Sequence, residues 1–429
     1  MISNRIYLDF NASTPIAPGV AEAMRPFLSQ HFGNPSSLHW AGEPAREAIE
    51  NARRQVADLL QCHPGEIVFT SGGSESNNHA IKGIFYALRE KGNHIVTTQI
   101  EHPAVLNPCR FLEKIGAEVT YISVDQYGRV DPEDIEKAIT TNTILITVMH
   151  ANNEVGTIQP IEEISKIAKK HGILLHTDAA QTVGKIDTKV NPVRNSSRCD
   201  SKPSGALNPA LRGGAPYGAE PGIILKCNPA TGGTAEQRGI ISNGVNDLEV
   251  DLLSLAGHKL YAPKGVGALY IREGTPVEPL IHGASHESGR RAGTENVLLI
   301  VGLGKACEIA KKYLEDDKIR DLRDRFWELL QENFGSGIIL NGHPIYRLPN
   351  TLNVSFVGKV GGEILSQLDG VAASTGAACH SGLVELSPVL KAMKIIPEIG
   401  MGTIRFSLGR STTSEELGWV IQLLKKILS

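Results

Sequence analysis

Between residue 64 and about residue 272, short runs of β-branched and aliphatic residues alternate with longer stretches in which apolar side chains return every three or four positions. The first rhythm suits strands covered on both faces, and the second suits helices packed on a sheet. The predicted strands are Glu66 to Thr70, His94 to Thr98, Glu118 to Ile122, Thr143 to His150, Ile173 to Thr177, Asp251 to Leu255 and Val266 to Ile271. Predicted helices between them include Glu75 to Glu90 and Ile161 to Lys170; in the former, Ile81, Ile84, Phe85 and Leu88 share one face. Strands alternating with helices are the signature of an α/β fold. After about residue 275 the rhythm changes. A long charged helical stretch, Glu295 to Phe334, with room for a break, precedes short strands near Thr351 to Phe356 and Thr403 to Leu408. The closing helix, Ser414 to Leu428, carries Leu417, Val420, Ile421, Leu424 and Ile427 on one side. The organisation expected is a large domain over 15–275 and a smaller one built from 1–14 and 276–429.

One segment fits neither rhythm. Residues 191–245 are dense in Gly, Pro, Ser and Asn, and the dipeptide Val190-Asn191 recurs as Val245-Asn246. This reads as an irregular or disordered insertion flanked by a short duplication, since lengthening a surface loop raises closure entropy only slowly.

Composition narrows the function. Of 429 residues, 43 are Lys or Arg and 46 are Asp or Glu, so the net charge of −3 gives no overall electrostatic reason to bind nucleic acid or an anionic membrane. No apolar run approaches the roughly 20 residues of a spanning helix, and the N-terminus has no secretory pattern, so a cytoplasmic location is expected. The six cysteines, at 62, 109, 199, 227, 307 and 379, form no C-x-x-C pair, which argues against a zinc ribbon; no metal is expected.

Three motifs carry candidate chemistry. Ser71-Gly72-Gly73-Ser74-Glu75-Ser76-Asn77-Asn78 lies where a strand turns into a helix, a place that offers backbone N–H groups and a helix dipole to a phosphate. A Gly-Gly turn that merely joins strand to helix is as common. His176-Thr177-Asp178 puts an acid at the carboxyl end of a strand, where α/β sheets bind ligands. Gly257-His258-Lys259 puts a lysine after an apolar strand; a single such lysine usually reaches solvent, but a buried one is costly unless its charge is lowered or used. Together, an anion cradle, an acid and an amine are what pyridoxal 5'-phosphate needs: a phosphate site, a partner for the pyridinium nitrogen and a Schiff-base lysine.

With these residues in view, the chain resembles the cysteine desulfurase and selenocysteine lyase family of fold type I pyridoxal-phosphate enzymes, in the class V aminotransferase group. The resemblance is carried by YLDFNASTP, FGNPSSLH, FTSGGSESNN, EHPAV, HANNEVGT, HTDAAQTVGK, GHKLYAPKGVGALY, GRRAGTENV, ASTGAACHSG and TIRFSLGRSTT, over nearly the whole chain outside 191–245. It implies a large domain with a mixed, mostly parallel seven-stranded sheet sandwiched by helices, plus a smaller α+β domain. It also implies that Lys259 bonds the cofactor and later moves protons, and that Asp178 holds the pyridinium nitrogen. His102 would stack on the ring, Asn153 and Gln181 would contact the ring oxygen and its surroundings, and Gly73, Ser74 and His258 would hold the phosphate. Thr294 matches a residue that reaches the phosphate of a partner subunit, hence a homodimer. Arg405 matches the arginine that grips the substrate carboxylate, with Asn11 and Asn153 beside it. Cys379 matches the catalytic thiol, and its small, Gly-containing flank reads as a mobile loop.

The activity so implied is removal of sulfur from L-cysteine to give L-alanine and a persulfide on Cys379, for iron–sulfur cluster assembly or another sulfur-acceptor protein. The alternatives are a selenocysteine lyase acting on L-selenocysteine, an aminotransferase, or a chain disabled by an insertion lying between Asp178 and Lys259. Two departures stand out. Ala256 replaces a serine that would touch the phosphate, and His282 to Ser288 differs from the commoner glycine-rich form.

Overall fold

The computed structural model describes residues 5–190, 248–380 and 383–428; the expected insertion lies outside the described residues. In chain order the strands are β1 (Ile6–Tyr7), β2 (Ile67–Thr70), β3 (His94–Thr98), β4 (Glu118–Ile122), β5 (Thr143–Thr147), β6 (Leu174–Asp178), β7 (Leu252–Ala256) and β8 (Gly267–Ile271). The second half contributes β9 (Ile338–Asn341), β10 (Thr351–Phe356), β11 (Val371–Ala372), β12 (Ser374–Thr375), β13 (Ala377–His380), β14 (Leu383–Leu386) and β15 (Thr403–Ser407).

Seven strands form the main sheet in the order β2-β8-β7-β6-β5-β3-β4. Only β8 runs against its neighbours; the β3–β4, β3–β5, β5–β6 and β6–β7 pairs are parallel. Strands β2, β3, β5, β7 and β8 are buried at every position. Helices cover both faces, which is why these strands read as continuous apolar runs rather than alternating ones. On one face the helix Gly73–Leu88 packs Ala80, Ile81, Ile84 and Phe85 against Val68, Ile95, Leu145, Leu252 and Leu269. On the other, the helices Glu43–Leu60 and Ile161–His171 join a larger core with Ile67, Val96, Ile146, Leu175 and Leu253. The helix Val297–Lys311 belongs to that same core through Ile300, Leu303, Ala306 and Cys307.

A separate core lies around the antiparallel sheet β12-β15-β10-β9. Phe326 and Leu330 from the helix Lys318–Phe334, and Leu417, Val420, Ile421 and Leu424 from the helix Ser414–Leu428, fill it with Ile6 and Leu8 from the start of the chain. The N-terminal segment is held there by β1 pairing parallel with β11.

The structure refines three expectations. The long stretch 295–334 does contain the break its sequence allows, and forms two helices, Val297–Lys311 and Lys318–Phe334. Strand β5 stops at Thr147, although the Val148 and His150 N–H groups still donate to the His176 and Asp178 carbonyls of β6. The flank of Cys379, which reads as a mobile loop, contains a hairpin, β13 pairing antiparallel with β14 with Cys379 opposite Val384.

Candidate active site

Strands β6 and β7 are neighbours, with Asp178 opposite Ser254. Their carboxyl ends therefore bring Asp178 and the turn Gly257–Lys259 to one rim, despite the long stretch of chain between them. There they line one cavity of roughly 500 Å³ together with Gly73, Ser74, His102, Asn153, Gln181 and His258.

Asp178 is buried, and both oxygens are engaged: Asn77 Nδ2 donates to Oδ2 at 2.7 Å and the Ala180 N–H donates to Oδ1 at 2.9 Å. Two donors fix the carboxylate in place. Lys259 Nζ donates to the carbonyls of Asn11, at 2.5 Å, and Ala12, at 2.8 Å. Burial, and after it the Arg405 charge, lowers the Lys259 pKa to about 8 against the opposing pull of Asp9 and Asp178.

His102 caps the helix Pro103–Glu113, its Nδ1 accepting the Ala104 N–H at 3.1 Å, so the neutral ring carries its proton on Nε2. Burial lowers its pKa, with Lys259 adding to this and Asp178 opposing it. His258 is pushed down to about 4, first by burial and then by Lys259, Lys264 and His102.

The anion cradle is a backbone device. Gly72, the N-cap of the helix Gly73–Leu88, has φ +144°, which a side chain would strain. A Cβ at Gly267 would come within 2.7 Å of the Gly72 Cα, so β8 and the turn touch through bare backbone. A Cβ at Gly73 would meet the Ala256 methyl at 3.3 Å. Ala256 lines the cavity and offers no hydroxyl there, as its sequence implies; Ser13, Ser71 and Ser74 lie on the same wall.

Other expected residues are held by bonds within the protein. Asn11 is buried; its Nδ2 donates to the Asn153 carbonyl at 3.1 Å and to Thr351 Oγ1 at 2.8 Å. Gln181 Nε2 donates to the Asn11 carbonyl at 3.0 Å, and its Oε1 accepts from Lys185, so both ends of its amide are engaged within the protein. Arg405, on β15, donates to Asp9 at 2.6 Å, Ser374 at 3.0 Å and the Asn153 carbonyl at 3.0 Å. Thr294 lines a second cavity, roughly 250 Å³, that shares Ser71 and Gly265 with the first. For Cys379 the backbone hairpin is described. Of the other cysteines, Cys62, Cys109 and Cys307 are free thiols; burial pushes all three pKa values up, which suits packing rather than catalysis.

Sequence reasoning missed Asn77, Asp9 and Lys185. Asn77 carried a legible signal: it is a polar residue on the same helical stripe as Ile81 and Ile84. Asp9 had none, because its partner Arg405 is distant in sequence, and the i, i+4 spacing of Gln181 and Lys185 did not by itself place the pair at the site. Lys185 donates to Gln181 Oε1 at 2.8 Å, and burial, followed by the charges of Lys259 and Arg405, lowers its pKa to about 7.

The lining fits pyridoxal phosphate. An amine with a lowered pKa and a fixed carboxylate share one cavity with a glycine-rich helix N-terminus, and two polar atoms on lining residues, Ser13 Oγ and Asn77 Oδ1, are buried without a hydrogen-bond partner.

Comparison with known proteins agrees. Residues 6–194 and 237–420 match the aminotransferase class-V family. A cysteine desulfurase IscS of Dictyoglomus turgidum is 46% identical, covering 100% of this chain and 95% of its own. A solved NifS-like protein superposes with a TM-score of 0.81 at 34% identity, covering 99% of both chains. The structure described as SspA in complex with cysteine superposes with a TM-score of 0.73 at 36% identity, covering 94% of this chain and 98% of that one. The chain thus belongs to the aminotransferase class-V family, in its cysteine desulfurase branch, whose enzymes depend on pyridoxal 5'-phosphate.

Proposed function

We infer that this chain is a cysteine desulfurase, converting L-cysteine and an enzyme thiol into L-alanine and an enzyme persulfide. The observation that carries the reading is the meeting of Asp178 and Lys259 at adjacent strand ends in one cavity. Pyridoxal phosphate bound there supplies an aldehyde for imine chemistry and a ring that accepts electrons. Gly73, Ser74 and His258 would hold its phosphate, His102 would lie against the ring, and Asp178 would keep the ring nitrogen protonated. Asn153 and Gln181 would bound the pocket.

Lys259 Nζ, with its pKa near 8, is matched to taking a proton from the substrate Cα and returning one. Arg405, held as a planar fork by Asp9 and Ser374, would grip the substrate carboxylate, with Asn11 and Asn153 fixing the backbone beside it. The Cys379 thiolate then forms an S–S bond as the substrate C–S bond breaks. The bonding electrons go to the carbon skeleton, which leaves as alanine.

The reading extends to a homodimer in which Thr294 reaches the partner's cofactor phosphate, a sulfur-acceptor or scaffold protein, and a cytoplasmic location. The run Leu28, Phe32, Leu38 and Trp40, each more than two-thirds exposed, supports a covered surface. It also divides the chain into a cofactor domain, 15–275, and a smaller domain from 1–14 and 276–429. The helix Val297–Lys311 then packs back from the second onto the first.

The test is purified holoenzyme with L-cysteine. Alanine and persulfide should form in equal amounts without added keto acid. Cys379→Ser should lose both while keeping the cofactor absorbance, and undiminished alanine from that variant would refute the persulfide route. The ratio of kcat/KM for cysteine and selenocysteine separates the desulfurase from a lyase.

A further inference from the structure

The cradle contains an apparent contradiction. Glu75 lies in the first turn of the helix Gly73–Leu88 and on the wall of the cofactor cavity. An acid at a helix N-terminus is ordinary on its own, because it complements the dipole. Here the same turn is read as the seat of a phosphate dianion, and two anions at one terminus repel each other.

Glu75 is nevertheless firmly ionised and firmly held. Burial opposes its charge, but bonds from Arg291 and Ser71 outweigh it and hold the carboxyl below its ordinary range. Oε2 accepts the Ser71 N–H at 2.8 Å, which shapes the cradle turn. Arg291 donates from Nε to Oε1 at 2.9 Å and from Nη2 to Oε2 at 3.3 Å, a forked contact made from far along the chain. Both side chains are largely sheltered, at 22% and 11% exposure, where charges are screened weakly.

Arg291 lines the second cavity, the one that holds Thr294, while Glu75 lines the first, so the fork stands in the wall between them. Two other acids act on Arg291: Glu295 makes no hydrogen bond or ion pair with it among the described residues, and Glu287 is already taken, since Arg53 bonds both its oxygens at 2.8 Å and the Phe69 N–H bonds one of them at 2.9 Å. Glu75 is thus the acid that Arg291 serves.

We propose that Arg291 is a positioning residue for the cofactor phosphate: it cancels the Glu75 charge, so that Glu75 can shape the Ser71–Ser74 turn without repelling the dianion the turn receives. This rests on reading that turn as the phosphate site. The rival is a plain structural clip between the helix and the 289–295 segment. The two differ in charge dependence. A clip is lost when either partner is removed, whereas a compensating charge becomes unnecessary once Glu75 is neutral.

The experiment titrates apo full-length protein with pyridoxal phosphate and with pyridoxal, which lacks the phosphate, at one pH and salt concentration. Arg291→Ala should weaken pyridoxal phosphate at least about tenfold more than pyridoxal, as an uncompensated charge near a dianion requires. Arg291→Lys, which keeps the charge, should hold the preference for phosphate within about threefold of wild type. Adding Glu75→Gln to Arg291→Ala should restore the preference to within about threefold. Equal losses for both ligands, or no rescue by Glu75→Gln, would overturn the proposal in favour of the clip. Wild-type protein that binds both ligands equally would sink the phosphate reading itself. A wild type that discriminates, with an Arg291→Ala variant that discriminates just as well, would sink only the role given to Arg291.

Discussion

The amine of Lys259 offers the sharpest test of the site. Its ammonium form is half-buried and feels the Arg405 guanidinium, and only two carbonyls and the more distant Asp9 and Asp178 favour its charge. With a pKa of about 8, about a quarter of the amine is neutral at about pH 7.5, against about 0.1% for an ordinary lysine near 10.5, an advantage of about two hundredfold in reactive nucleophile. The perturbation is pH, and the assay is stopped-flow capture of pyridoxal phosphate by apo protein, followed as visible absorbance, with Lys259→Ala as the blank. The rate should rise with pH and level off with a midpoint near 8. Arg405→Gln should move the midpoint up, because it removes a positive charge and frees Asp9, which favours the ammonium. Asp9→Asn should move it down. A wild-type rate still climbing in proportion to hydroxide at about pH 9.5 would mean a solvated lysine, and the account of the site built on its burial would fail.

Three further outcomes follow from the packing. Asn77→Ala removes a 2.7 Å bond to the buried Asp178 carboxylate, so apo stability should fall by about 1–3 kcal/mol in urea melts, and an unchanged midpoint would deny that bond its weight. Arg53→Ala leaves Glu287 buried without its bidentate partner, which should cost about 3–5 kcal/mol; a loss below about 1 kcal/mol would show that water replaces the guanidinium. Glu101 is buried and accepts from Thr98 Oγ1 and the Met149 N–H; burial pushes its carboxyl up to about 8. Between the unfolded value near 4.5 and 8, the folded state holds the extra proton, so this group favours folding at acid pH and loses that contribution as pH rises through 8. Glu101→Gln, which fixes the neutral form, should therefore gain in Tm relative to wild type as pH rises from 5 to 9; a constant difference would refute this.

Much of the architecture was already legible in short-range pattern. Strands β3 and β4 and the helix Ser414–Leu428 have the bounds that periodicity predicted, because strand and helix repeats are local properties. Errors came where a neighbour in space sets the boundary. The helix after β2 begins at Gly73, two residues before the predicted Glu75, because Gly72 can take φ +144° against the backbone of β8. Val148 and Met149 are apolar enough to extend β5, but the Met149 N–H turns to the buried Glu101.

The sequence by itself determined the alternation that builds an α/β sheet, and the residues of the cradle, the acid and the lysine. Their meeting was decided by tertiary structure. Parallel pairing of β6 with β7 joins Asp178 to Lys259 across the longest gap between consecutive strands of the main sheet, and β15 carries Arg405 to Asp9 from the opposite end of the chain. The Asn77–Asp178, Glu75–Arg291 and Arg53–Glu287 contacts belong to the same class. A polar pair buried between distant segments leaves no period along the chain, because the need for it arises only when packing removes both groups from water and each must find its partner there.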